Sequence, residues 1–162
     1  MNADEIFQNG TIEFNLGNFK KALMFFDKTL ELRPTHIGAL IKKGNILGKF
    51  GKYANAISCY DKALNIEPQN ILALINKGLA LHYLQRYDEA IACYDAVLQQ
   101  KPANTIALYN KASSLVRQNK IKDGLEILEK TIELDFSFKY KARFDIDFEG
   151  IQRDNDFKRL IL

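Results

Sequence analysis

The sequence predicts an all-α chain built as a solenoid of antiparallel helix pairs, and three observations lead there. Residues 37–70 align with 71–104 without a gap, and 16 of the 34 positions are identical. All three prolines, Pro34, Pro68 and Pro102, fall at the same place in successive units. Within each unit the apolar residues recur at steps of three and four, the period of a helix with one buried face. A fixed period of this length means a stack of units, none of which can bury its apolar face alone.

Four units follow: 3–36, 37–70, 71–104 and 105–138. In the second, Leu40, Gly44 and Leu47 line one face of a first helix. Tyr53, Ala56, Tyr60, Ala63 and Leu64 do the same for a second helix, and Gly48 and Gly51 mark the turn between them. Pro68 stops the second helix, because its ring removes a backbone donor and clashes with the preceding turn. Asn70 and Asn104 stand where the following helix wants a side-chain acceptor as N-cap. Small residues sit where paired helices must approach: Gly44, Gly78 and Ala112 on first helices, Ala22, Ala56, Ala90 and Gly124 on second ones. The first unit keeps Gly10, Gly17, Phe19, Ala22, Phe26 and Pro34. The fourth keeps Leu108, Ala112, Leu115 and Leu128, with Phe136 where proline is expected.

Residues 139–162 leave the period. Phe144, Phe148, Ile151, Phe157 and Leu160 are expected to cover the last hairpin with two or three short capping helices, since a terminal repeat otherwise exposes its apolar face. The rival expectation is a detachable segment that folds on a partner.

Composition narrows the function. The net charge of +3 is mild, and no basic run interleaved with aromatics points to nucleic acid. No apolar stretch is long enough for direct membrane insertion, and the acidic start Met1–Glu5 is unlike a secretory signal. Cys59 and Cys93 form neither a disulfide framework nor a metal-ligand motif. They are expected to be buried small apolar residues in a reducing, cytoplasmic setting. His36 and His82 join no nucleophile–base–acid constellation, and His82, near the end of a first helix, is at most a contact residue. The chain is therefore expected to be no enzyme and to need no metal or cofactor.

The small, aromatic and proline positions quoted above resemble those of the tetratricopeptide repeat, whose unit is 34 residues. The resemblance spans residues 3–138 and departs from the family at Lys43, Lys77 and Lys111, where leucine is usual before the small residue. A lysine stem can lie along apolar surface there with its head in water. The resemblance implies a right-handed superhelix with the first helices lining a concave groove. The groove positions would be Gly38, Ile41, Lys42, Asn45 and Lys49 in the second unit and Leu72, Ile75, Asn76, Leu79 and Tyr83 in the third. The fourth would supply Ile106, Tyr109, Asn110, Ser113 and Arg117, and the first Phe7, Gln8 and Thr11. Ile41, Ile75, Leu79, Ile106 and Tyr109 would form an apolar strip of the kind that marks an interaction site, unless some pack between repeats. Tyr53, Tyr60, Tyr87 and Tyr94 are expected in the core, with Tyr83 and Tyr109 off that pattern.

One groove in the family clamps the C-terminal carboxylate of peptides ending Glu-Glu-Val-Asp. Asn45 and Asn76 match its two asparagines, while Ile41, Ile106 and Asn110 replace its cations. The resemblance thus implies a scaffold that binds a protein or peptide. Self-assembly into a homo-oligomer, or service as a non-catalytic accessory domain of a larger enzyme, are the alternatives. RNA binding by a related repeat is disfavoured by the constant spacing and mild charge.

Overall fold

The computed structural model describes residues 1–162 and contains ten α-helices, one 3-10 helix and no strand. Eight helices fall into four consecutive pairs. They are α1 (Ala3–Asn15) with α2 (Phe19–Leu32), α3 (Ile37–Lys49) with α4 (Tyr53–Ile66), α5 (Ile71–Tyr83) with α6 (Tyr87–Gln100), and α7 (Thr105–Arg117) with α8 (Ile121–Leu134). The chain forms two compact units, Met1–Ala80 and Leu81–Leu162.

Each pair is made by the same local rules. First helices begin at a side-chain acceptor: Asn2 forms a reciprocal capping box with Glu5, and Asn70 and Asn104 accept from Ala73 and Ala107 N–H at 2.9 Å. His36 takes that place in the second repeat, its Nδ1 accepting from Ala39 N–H at 3.1 Å. Between paired helices one residue adopts a left-handed conformation: Gly17 (φ 80°), Gly51 (φ 73°), Gln85 (φ 60°) and Asn119 (φ 63°). The next N–H then reaches back five residues, as from Lys52 to the Leu47 carbonyl at 2.9 Å, closing the helix end in a Schellman-type turn. Gly48, expected in the turn, lies inside α3, so Gly51 alone makes the reversal.

In the first unit, Ala22, Phe26, Ala39 and Ile46 are buried together, with Phe7, Phe14, Phe19, Leu23 and Leu30 packed around them. The glycines at the helix crossings make room for rings: a Cβ on Gly10 would meet the Phe26 ring at 2.7 Å, and one on Gly44 the Tyr60 ring at 2.5 Å. The lysines that depart from the family pattern have one shared role. Lys43 Nζ lies 2.6 Å from Asp27 Oδ1 and Lys77 Nζ 2.7 Å from Asp61 Oδ1. In the second unit Lys111 Nζ lies 2.6 Å from Asp95 Oδ1. Each bridge joins the second helix of one repeat to the first helix of the next.

The second unit buries Tyr109, Ala112, Leu125, Leu128, Ala142, Phe148, Phe157 and Ile161 in one core. The last four come from the C-terminal segment, which forms α9 (Ser137–Phe144), a 3-10 helix (Ile146–Ile151) and α10 (Asn155–Ile161). Phe148 and Phe157 stack at 5.6 Å, and Ile151 and Leu160 are half-buried beside them. Phe144, expected on the covering face, is 83% exposed. Ala142 holds the inward position instead, and two residues further along an α-helix the side chain points to the other side. The period lost in the sequence persists in the helix positions, for α2, α4, α8 and α10 begin at Phe19, Tyr53, Ile121 and Asn155 on one 34-residue register. The segment's helices are separated by a break at Asp145, between α9 and the 3-10 helix.

Cys59 and Cys93 are buried and not joined in a disulfide, and burial pushes the Cys59 thiol pKa up. No group of three or more His, Cys, Asp or Glu side chains is placed to hold a metal. No helix is long and apolar enough to cross a membrane.

Candidate peptide-binding surface

In the first unit the expected groove residues Asn45, on α3, and Asn76, on α5, come together. Asn76 Nδ2 donates to Asn45 Oδ1 at 2.9 Å, and the Tyr60 hydroxyl donates to the same oxygen at 2.7 Å. Burial raises the Tyr60 pKa far above its ordinary value, so the hydroxyl stays a donor. Two donors on one oxygen fix which end of the Asn45 amide faces them. Asn45 Nδ2 and Asn76 Oδ1 remain unpaired, so the dyad offers one donor and one acceptor side by side. That is the complement of a backbone amide in an extended chain. Leu72 is exposed and Leu79 half-buried beside this helix face. Lys42 and Lys49 reach over the rings of Phe14 and Phe19, at 4.7 and 5.1 Å from the centroids.

The apolar strip expected at Ile41, Ile75 and Tyr109 is not open. These residues share one position in the repeat and are 4%, 7% and 1% exposed. A first helix inside a stack is covered on more than one side, so its buried arc is wider than a single stripe. Asn110 and Ser113 are buried as well, and Ser113 Oγ has no partner.

For Tyr109 the cover is the C-terminal segment. Its ring lies 5.0 Å from Phe138 and 5.8 Å from Phe148, with Lys141 Nζ 4.4 Å from its centroid. Its hydroxyl donates to Asp145 Oδ2 at 2.7 Å. Burial and the Asp145 carboxylate raise its pKa strongly.

Tyr83, Ile106 and Arg117 are the groove residues of the second unit that stay exposed. Tyr83, Tyr87, Arg117, Ile146, Asp147 and the edge of His82 line a cleft of about 280 Å³. His82 is buried, its Nδ1 2.9 Å from Ser114 Oγ and its Nε2 3.1 Å from Asp147 Oδ1. Arg117 Nε donates to the Tyr87 hydroxyl at 3.3 Å and lies 3.9 Å from Asp147 Oδ1. The Tyr87 hydroxyl and the nearby Asp147 carboxylate raise the Arg117 pKa. His82 is thus a buried tie between α5, α7 and the C-terminal segment, a role its place near a helix end did not disclose. Of the four repeat tyrosines, Tyr60 and Tyr94 are core, while Tyr53 and Tyr87 are half-buried.

Paired short helices on a constant register, glycine-spaced crossings and an accessible first-helix face define a helical-repeat interaction scaffold. The family model described as anaphase-promoting complex, cyclosome, subunit 3 matches residues 15–97 and again 49–131, two placements one repeat apart. The chain belongs to this family of tetratricopeptide-like repeat proteins. No curated protein matches it in sequence. Among solved structures it is similar to MamA (residues 41 to the end) from Desulfovibrio magneticus RS-1, at 26% identity and a TM-score of 0.78, covering 84% of this chain and 77% of that one. It shares the fold of YrrB, a TPR protein with an unusual peptide-binding site, at 17% identity and TM-score 0.75 over 96% of this chain and 80% of that one. It also shares the fold of the first TPR of Spaghetti (RPAP3) bound to the HSP90 peptide SRMEEVD, at 21% identity and TM-score 0.64 over 78% and 92%.

Proposed function

We propose that the chain is a non-catalytic scaffold that binds an extended peptide segment of a partner protein on its first-helix surface. The observation that carries this is the half-buried Asn45–Asn76 dyad, oriented by Tyr60 so that the Asn45 amide donor and the Asn76 carbonyl acceptor are left without a partner in the chain. Exposed Leu72 supplies an apolar anchor beside it, and Lys42 and Lys49 favour acidic residues in the peptide. Tyr83, Ile106 and Arg117 offer further exposed contacts in the second unit. The peptide binding named for YrrB and RPAP3 agrees with such a role.

The ligand is an internal stretch of chain and not a C-terminal carboxylate. The places that would need cations hold Ile41, Ile106 and Asn110, and two of these are buried. Without a charge-assisted grip, and with a flexible peptide to be ordered, affinity falls near micromolar, about −8 kcal/mol. The test is to select peptides by display on the intact chain and measure their binding by fluorescence anisotropy. Asn76→Ala weakens a true ligand roughly tenfold, as loss of a hydrogen bond of about 1.4 kcal/mol requires. Unchanged affinity in Asn76→Ala and Leu72→Ala together would remove the assignment.

A further inference from the structure

The outward arc of α9 carries a single kind of chemistry. At about 100° per residue, Phe138 and Ala142 turn inward and the rest of the helix faces water. Phe136, Tyr140 and Phe144 recur every fourth residue along the middle of that arc and are 58%, 53% and 83% exposed. Lys139 and Arg143 run along one side of this stripe, and Lys141 stands on the other. No acidic residue lies between Phe136 and Phe144. With about 200 Å² on each ring side chain, the stripe leaves roughly 400 Å² of aromatic surface in water, as much as the largest patch of an ordinary monomer. Exposed Leu162 adjoins it, its carbonyl accepting from Lys139 Nζ at 2.6 Å.

The three cations keep their charge for a partner. Arg143 donates to the Ile161 carbonyl, and Lys141 Nζ lies over the Tyr109 ring, but neither a carbonyl nor a ring cancels a full charge. The ion pairs of the chain all lie elsewhere. Asp135 and Asp145, which bracket the helix, accept from the Ser137 and Tyr109 hydroxyls. The face is therefore cationic, and two copies of it repel each other. Its rings are also partly taken. Lys139 Nζ lies 5.0 Å from the Phe136 centroid and the Arg143 guanidinium 5.7 Å from that of Tyr140, and the two rings meet edge to face at 5.8 Å. That leaves ring edges for hydrocarbon and no open pair of faces for stacking a nucleic-acid base. The stripe is the ridge of one helix, without the walls that seat a peptide. Aromatic rings bordered by Lys and Arg on a helix ridge are the composition of a helix lying along an anionic bilayer.

We propose that the α9 face docks the chain peripherally on the surface of an anionic lipid bilayer. Phe136, Tyr140 and Phe144 enter the headgroup layer, and Lys139, Lys141 and Arg143 meet the lipid charges. One aromatic stripe and three cations give reversible docking, not anchoring, and salt weakens it by screening.

The test is flotation of the full chain with vesicles of phosphatidylcholine containing about 30 mol% phosphatidylserine, beside vesicles of phosphatidylcholine alone. Binding is expected to the anionic vesicles only and to fall at high salt. Phe144→Ser should weaken it on the order of tenfold, through loss of the most exposed ring. Lys139→Gln with Lys141→Gln should weaken it roughly thirtyfold, about fivefold for each cation at an anionic surface. Circular dichroism checks that both variants fold; Phe144 packs on nothing, so that variant decides alone if the lysine pair disturbs the helix. No binding to the anionic vesicles, equal binding to neutral ones, or binding that Phe144→Ser leaves unchanged overturns the proposal. Retention on poly-glutamate or single-stranded RNA without vesicle binding overturns it as well, and gives the face to an acidic protein or to nucleic acid.

Discussion

The Tyr109 hydroxyl donates to Asp145 Oδ2 at 2.7 Å and joins the first helix of the fourth repeat to the turn at which α9 breaks. Asp145 Oδ1 meanwhile accepts from Asp147 N–H at 3.0 Å and starts the 3-10 helix. One carboxylate therefore sets the direction of the turn and fastens it to α7. Tyr109→Phe keeps the ring among Phe138 and Phe148 but removes the donor, and is expected to cost about 1–2 kcal/mol. Urea unfolding measures the cost, and amide hydrogen exchange should show the lost protection concentrated in residues 137–162. Unaltered stability and exchange would mean that ring packing alone holds the segment.

The Lys43–Asp27 bridge and its two successors are partly exposed, with the aspartates near half exposure. Each is therefore worth about 0.3–1 kcal/mol. A double-mutant cycle on Lys77→Met and Asp61→Asn should give a coupling in that range, reduced in high salt. A coupling that salt leaves unchanged would contradict an electrostatic origin.

Much of this architecture can be read along the chain, and the exceptions have physical causes. The helix pairs follow from apolar periodicity and the proline spacing, and the Asn45–Asn76 pair follows from register once the helices stack. The Lys–Asp bridges were legible in principle, since Lys43, Lys77 and Lys111 each follow an aspartate by the same interval. Their pairing needs the packing of adjacent repeats to become evident. Tyr109 was misplaced because its cover comes from a segment whose residues no longer match the repeat. The break at Asp145 depends on a hydroxyl far away in sequence, which no local pattern discloses. Ile41 and Ile75 were misplaced because a stacked helix buries a wider arc than one amphipathic stripe suggests.

The intra-repeat turn yields a backbone prediction. Gln85 holds φ 60° where two other repeats have glycine, and a left-handed conformation costs a side-chain-bearing residue roughly 1–2 kcal/mol. Gln85→Gly is expected to stabilise the chain by about 0.5–1 kcal/mol, the relief exceeding the added unfolded-state entropy. Gly51→Ala should destabilise it by about 1 kcal/mol. Thermal unfolding of both variants, with opposite signs of shift, checks the assignment; shifts of the same sign would refute it.

Tyr60 and Tyr94 occupy the same place one repeat apart and differ in one bond. Tyr60 donates to Asn45, whereas Leu79 stands at the register position equivalent to Asn45 and the buried Tyr94 hydroxyl has no partner. Tyr60→Phe should therefore cost about 1 kcal/mol, while Tyr94→Phe is neutral or stabilising because an unsatisfied hydroxyl leaves the core. Alkali offers a second readout. Burial raises the pKa of both tyrosines, and of Tyr109, above the ordinary value of 10.0. In the unfolded chain these groups lose their protons as pH passes 10, while in the folded chain they keep them. The unfolded state then binds fewer protons, so stability is intact below about pH 10 and falls above it, by up to about 1.4 kcal/mol per pH unit for each tyrosine. Denaturant midpoints measured from about pH 8 to about pH 11 should fall steeply beyond 10 in the wild type. Tyr94→Phe should flatten that fall while leaving the neutral-pH midpoint unchanged or higher; a variant whose alkaline slope matched the wild type would show that Tyr94 does not stay protonated in the folded chain.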